Sequence, residues 1–175
     1  MAEANIEFTR IFRLLAEALG QPGQRTFRII ADSESSTANI WLEKEQLFQL
    51  ALGIQRLTGS LTLGEELPHT IPMDREAPGL TKLDFKLGKL VLGHDSNNGL
   101  FLIDAYDLED ANETEATLRI WVNRGQVEAF AEEAINVCAA GRPLCPLCGR
   151  AIDPNGHECP RMNGHAKRIT YLEED

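Results

Sequence analysis

The first third of the chain shows three short segments of the kind that form strands. IFRLLAEALG (11–20), RTFRIIAD (25–32) and TANIWL (37–42) are rich in apolar, β-branched or aromatic residues, and QPGQ and DSESS between them are typical of turns. The apolar pattern of 11–20 can be read as strand or helix, and we favour a strand. The apolar period then becomes helical, which predicts a helix over about 44–58, through Leu47, Leu50, Ala51, Ile54 and Leu57. This part of the chain, about 9–58, therefore reads as a βββα unit.

A second set of elements follows in the same order. LDFKLGKLVLG (83–93), GLFLIDAYDL (99–108) and ATLRIWV (116–122) predict three more strands. An amphipathic helix comes next, with Asn123 as its N-cap and Gln126 completing a capping box. The second βββα unit covers about 82–141, and the Pro-rich stretch 59–81 is predicted to be the linker.

The two predicted units resemble each other in sequence. IWLEKEQLFQLA (40–51) and IWVNRGQVEAFA (120–131) align at a constant offset of 80, with identical Ile, Trp, Gln and Ala positions. A strand that leads into an amphipathic helix would give some apolar matches in any protein. We interpret the match as an internal duplication, which predicts one α+β domain over 1–141 whose two units pack about a pseudo-twofold axis.

Charge narrows the classes of partner. The chain carries 17 Lys and Arg against 27 Asp and Glu, a net charge of −10, which repels nucleic-acid phosphates and anionic lipids. Its N-terminus lacks a signal peptide, and no stretch approaches the length of a membrane span. We therefore expect a cytoplasmic protein with neither membrane nor nucleic-acid binding.

The strongest chemical signal is the C-terminal tail, 142–175. Cys145 and Cys148 form a C-x2-C pair and Cys159 adds a third sulfur, a set typical of one structural Zn²⁺ ion. Either His157 or His165 can complete the site at acceptable spacing, and we favour His157 because it lies beside Cys159 and a turn. Free thiols or an iron site with the same ligands are the alternatives.

Other candidate groups are weaker. Cys138 falls on the apolar stripe of the second helix, which indicates a buried thiol and not a ligand. His94 and Asp95 could form an acid–base pair with Asp104 or Asp107, but a polar turn is the simpler interpretation, and we assign no catalytic residue. Trp41 and Trp121 occupy equivalent places on the outer face of their strands, where they would pack under a loop or form an aromatic patch for a partner.

Several segments resemble a known bacterial family. GQPGQRTFRI, WLEKEQLFQLA, LGKLVLGHD and AAGRPLCPLCGRAIDPNGHECPRMNGH are similar to the family catalogued as domain of unknown function 3090, over nearly the whole chain. The resemblance implies that the metal ligands are Cys145, Cys148, His157 and Cys159. It implies no activity, because none is established for the family.

These observations favour a non-enzymatic binding or adaptor module with a protein partner, in which the zinc knuckle is a rigid contact element. The alternative is a small enzyme or ligand-binding protein that uses a cleft between the two βββα units. The sequence leaves the oligomeric state open.

Overall fold

The structure is a computed structural model that describes residues 3–21, 24–61, 81–111, 114–140, 145–148, 157–160 and 168–169. Only the backbone is described for Thr81, His157, Glu158, Arg168 and Ile169. The described residues form two compact units, one from 1–18 and 26–138 and the other from 19–25 and 139–175. Most of the predicted linker and much of the tail, including His165, lie outside the described residues.

The described residues form nine strands and two helices. The helices are α1 (Lys44–Ser60) and α2 (Arg124–Ala139). The strands are β1 (Ala4–Phe8), β2 (Ile11–Leu19), β3 (Thr26–Ser33), β4 (Ser36–Leu42), β5 (Thr81–Asp95), β6 (Leu100–Asp107), β7 (Ala116–Val122), β8 (His157–Glu158) and β9 (Arg168–Ile169).

Seven strands form one sheet in the order β1-β7-β6-β5-β4-β3-β2. The two strands at its ends, β1 and β2, are consecutive in sequence and separated only by Thr9 and Arg10. Three Cα–Cα steps span at most about 11 Å, so the two edges of the sheet must meet at this corner. The sheet therefore curls round toward a barrel. The antiparallel pair β8 and β9 forms a separate small sheet.

The apolar core lies on one face of the large sheet. All seven of its strands and both helices contribute buried side chains to a single cluster. The alternation is clearest in β4, where Ala38, Ile40 and Leu42 are buried while Asn39 and Trp41 are only partly covered. Both helices thus pack on the same face of the sheet.

The two helices run antiparallel along each other. Arg124, at the start of α2, donates to the Thr58 carbonyl near the end of α1, and the Cys138 sulfur near the end of α2 lies 3.9 Å from the Lys44 carbonyl oxygen. The capping box predicted for α2 is confirmed. Asn123 Oδ1 accepts from the Gln126 N–H at 2.8 Å, and the Asn123 N–H donates to Gln126 Oε1 at 3.0 Å.

The predicted elements are present, with three differences. β1 was missed, because its sequence ANIEF has only a short apolar pattern and is stabilised by parallel pairing with the distant β7. Helix α1 continues to Ser60 and β5 begins at Thr81, inside the predicted linker. A Leu-Gly pair ends the predicted first strand of each βββα unit, 11–20 and 83–93, but Gly20 follows β2 with a positive φ of 100°, whereas Gly93 lies within β5.

The two parallel strand pairs have the same register. β4 pairs with the first part of β5, and β7 pairs with β1 in the same way. The partners are Ser36↔Thr81, Ala38↔Leu83 and Ile40↔Phe85 in one pair, and Ala116↔Ala4, Leu118↔Ile6 and Ile120↔Phe8 in the other. The β7 residues thus follow their β4 counterparts by a constant 80 positions, and the β5 residues follow their β1 counterparts by a constant 77 positions.

Candidate metal centre

Three cysteines meet in the second unit of the chain. The sulfur atoms of Cys145, Cys148 and Cys159 all lie within 4.8 Å of one another. Cys145 is 2% exposed, while Cys148 and Cys159 are half-buried. A turn over 146–148 brings the first two together, and Cys159 follows directly after β8, which is paired with β9. The three sulfurs that the sequence singled out could therefore hold one metal ion.

The spacing of the sulfurs suits a tetrahedral ion. Cys145 Sγ and Cys159 Sγ are 3.8 Å apart, and neither cysteine forms a disulfide. A disulfide would need about 2.0 Å between the sulfurs. Two sulfurs bound tetrahedrally to zinc at about 2.3 Å lie about 3.8 Å from each other. The observed distance therefore matches an edge of a metal–thiolate tetrahedron.

The surroundings of Cys145 favour the thiolate. Burial by itself would raise the pKa of this thiol. Hydrogen bonds from the backbone N–H groups of Cys148 and Leu147, and with the side chains of Cys148 and Cys159, outweigh burial and lower the pKa to about 6. Because the deprotonated sulfur is the form that binds metals, this site is prepared for a cation at neutral pH.

The fourth position is less completely described. The backbone of His157 lies in β8, paired with Ile169 of β9, two residues before Cys159. Its side chain and the whole of His165 lie outside the described residues. The choice between the two histidines therefore stays a prediction.

Cys138 has the environment expected of a core residue. It is buried among the apolar side chains of α2. Desolvation by burial raises the pKa of the Cys138 thiol, the reverse of the net effect at Cys145. The two cysteines thus differ in protonation as well as in position.

Two residues of the candidate acid–base group, His94 and Asp104, have other contacts. The His94 ring contacts the ring of Phe101 at a centroid distance of 4.7 Å. Asp104 instead binds Arg119 through two hydrogen bonds of 2.7 Å, and both side chains are nearly inaccessible to solvent. The hydrogen bond with Asp104 raises the pKa of Arg119. Sequence reasoning missed this buried ion pair, whose signal was an Asp and an Arg within two otherwise apolar strands.

The two tryptophans have corresponding partners but different surroundings. Trp41 Nε1 donates to Asp84 Oδ1 at 2.8 Å, and Trp121 Nε1 donates to Glu7 Oε2 at 3.0 Å. Trp121 is buried in a small cluster with two leucines of β6. Trp41 is half-buried and borders a cavity of about 530 Å³. Neither belongs to the main core, in agreement with the predicted outer face.

No helix in the described part of the chain is long and apolar enough to cross a membrane.

Comparisons with known proteins match the chain to one family model. No curated protein and no solved structure matches the sequence. A family model described as protein of unknown function (DUF3090) matches residues 6–159, which is most of the chain. The chain therefore belongs to the DUF3090 family.

Proposed function

We propose that this protein is a non-enzymatic binding module whose C-terminal unit folds around one structural zinc ion. The ligands are Cys145, Cys148, His157 and Cys159. The observation that carries the proposal is the convergence of three thiols, two of them 3.8 Å apart, around a Cys145 thiol whose pKa is lowered. Thiolate-rich tetrahedral sites select zinc among the common divalent ions.

The position of β8 supports His157 as the fourth ligand. His157 and Cys159 are separated by one residue, and Cys159 directly follows β8. The pairing of β8 with β9 restrains the backbone at this point. His165 lies six residues beyond Cys159, so it needs a further turn of chain to reach the same ion.

Four protein ligands make the site structural. A catalytic zinc ion keeps one position open for water or substrate, and this ligand set fills all four. Binding free energies of about 10–16 kcal/mol in small zinc modules are large enough to fold a segment that has little apolar core of its own.

Metal analysis of purified variants tests the site. Wild-type protein is expected to contain one zinc ion per chain by mass spectrometry under native conditions. His157→Ala loses the ion, and the matched control His165→Ala keeps it. Retention in His157→Ala with loss in His165→Ala would transfer the fourth position to His165. A wild-type chain without zinc would remove the proposal.

The binding role has its own test. The candidate acid–base residues support a non-enzymatic role, because Asp104 is engaged by Arg119 and the His94 ring contacts Phe101. A protein partner that co-purifies with the wild type and is lost with Cys148→Ser supports an adaptor that uses the zinc unit. Turnover of a small molecule by the purified chain would favour an enzyme instead.

The proposal includes the architecture. The large sheet consists of two βββα units, β2-β3-β4-α1 and β5-β6-β7-α2, that arose by duplication. Its support is the equal register of the parallel junctions, the capping boxes at both helix starts and the matching indole–carboxylate pairs. A second candidate function, ligand binding between the two βββα units, is favoured by a cavity between α1 and β5.

A further inference from the structure

A cavity of about 290 Å³ lies between α1 of the first βββα unit and β5 of the second βββα unit. Its lining includes Leu50, Leu87 and Leu92, together with Gln46 and Gly53 of α1. This volume is at the small end of the range of about 300–1,000 Å³ that is usual for ligand sites. The cavity is therefore large enough for a small molecule.

Side chains of α2 bridge the corresponding contact between α2 and β2. Gln126 Nε2 donates to the Ile11 carbonyl at 2.8 Å, and the Ala16 N–H donates to Glu133 Oε2 at 3.3 Å. Phe130 lies between these two residues along α2, is 1% exposed and belongs to the core. Two side chains of α2 thus bind the backbone of β2, and the helix position between them is a phenylalanine.

Alignment of the two βββα units shows which residues differ between the α1–β5 contact, which contains the cavity, and the α2–β2 contact. At the offset of 80, Gln46 corresponds to Gln126, Leu50 to Phe130 and Gly53 to Glu133. On the strand, the core positions Ile11, Leu14 and Ala16 have the same spacing as Leu87, Leu90 and Leu92. The glutamine is kept, the phenyl ring is replaced by a smaller side chain, and the carboxylate is absent.

Packing does not require a glycine at position 53. A Cβ atom there would lie 3.7 Å from Leu92 Cδ2, which is ordinary van der Waals contact, and the backbone does not have a positive φ. Glycine within a helix is about 1 kcal/mol less favourable than alanine. The helix thus accepts a cost that keeps the space beside Leu92 open.

Gln46 supplies a polar side chain to the cavity. Its Oε1 accepts from the Glu43 N–H at 2.9 Å, while its Nε2 has no partner among the described residues. Leu92 stands where Ala16, whose N–H binds the Glu133 carboxylate, stands in the other βββα unit. The ammonium of Lys89, another lining residue, lies over the ring of Tyr106 at 4.2 Å. By this correspondence the Leu92 N–H is the donor for an acceptor that replaces the missing carboxylate.

We propose that this cavity binds a small straight-chain carboxylate. Its carboxyl group takes the place of the Glu133 carboxylate and accepts from the Leu92 N–H beside Gly53. Its apolar chain lies against Leu50, Leu87 and Leu90 toward Gln46. This inference rests on the proposed duplication and gives the second candidate function a ligand class, and it does not depend on the metal.

A titration of the full chain, as purified, tests the site by ¹H–¹⁵N NMR. Octanoate and hexanoate are expected to give saturable shifts of the Gly53 and Leu92 amides, and octanol, which lacks the carboxylate, binds at least tenfold more weakly. Gly53→Glu supplies the carboxylate internally and weakens octanoate binding at least tenfold. The control Gly59→Ala, in the same helix with open space around it, leaves the affinity unchanged.

Several results would overturn the assignment. They are no shift at millimolar octanoate, equal affinity for octanol, equal affinity in Gly53→Glu, or shifts confined to the Trp41 cavity. If Gly53→Glu does not fold by circular dichroism, Gly53→Ala serves in its place, because its added methyl narrows the cavity and is expected to weaken binding measurably. Purified protein that binds octanoate but contains no zinc would contradict the metal proposal alone.

Discussion

The two compact units of this protein, the sheet unit (1–18 and 26–138) and the cysteine unit (19–25 and 139–175), are stabilised by different physical means. In the sheet unit, all seven strands and both helices contribute to one apolar core, and even the charged pair Asp104–Arg119 is buried with its hydrogen bonds made. In the cysteine unit, the described part of the chain contains one short strand pair and three clustered thiols, and Leu147 is 47% exposed. Apolar burial thus stabilises the first unit, whereas the second needs a cross-link that a metal can supply.

Metal removal should separate the two units most strongly. A zinc chelator is expected to collapse the NMR dispersion of residues 145–148 and 157–160, because metal binding of about 10 kcal/mol or more is lost there. The amides of β3, β4, β6 and β7 should keep their shifts. Global unfolding by the chelator would show instead that the two units fold as one.

Acid should release the metal from the same unit. The pKa of Cys145 is lowered in the folded state, so the stability it contributes is present above the ordinary thiol pKa and is lost as pH falls through the folded value. Zinc competes with protons and shifts release to lower pH still. A chromophoric chelator should therefore detect release at or below a pH of about 6. Release already near pH 8 would contradict the lowered pKa.

In the sheet unit, the largest effect of a single substitution is expected at the buried ion pair. Asp104→Ala removes the carboxylate that accepts two hydrogen bonds from the buried Arg119 guanidinium, which costs about 3–5 kcal/mol. Urea denaturation followed by circular dichroism measures the loss. The exposed control Glu132→Ala should change stability by less than about 0.5 kcal/mol. Equal effects of the two substitutions would show that the pair is not a major stabilising element.

A smaller effect is expected at the start of α2. Asn123→Ala removes the side-chain acceptor for the Gln126 N–H and should cost about 1 kcal/mol of unfolding free energy. Asn123→Asp keeps an acceptor and should remain near the wild type. If both variants unfold at the same denaturant concentration as the wild type, the cap makes no measurable contribution.

The local patterns of the sequence predicted the elements that depend on neighbouring residues. Six of the strands in the large sheet, both helices and the Asn123 capping box follow from apolar period and turn chemistry over short windows. β1 was missed because it is stabilised by pairing with a distant segment, and the Asp104–Arg119 pair was missed because it forms only where β6 and β7 lie side by side. A short polar-looking strand gives no local sign of a partner more than a hundred residues away.

For the candidate sites too, the sequence predicted what depends on neighbouring residues and missed what depends on the fold. The spacing of Cys145, Cys148 and Cys159 predicted their convergence, because knuckle geometry is set by a few residues. A cleft between the two βββα units was predicted only as an alternative, and its position beside Gly53 was not predicted. A single glycine in an otherwise apolar helix pattern becomes informative only when the opposing strand and the second unit are known.

X-ray absorption at the zinc edge of the purified protein tests the central claim most directly. The account predicts one zinc ion with three sulfur neighbours at about 2.3 Å and one nitrogen at about 2.0–2.1 Å. A shell with fewer than three sulfurs, or protein that carries no zinc, would contradict it.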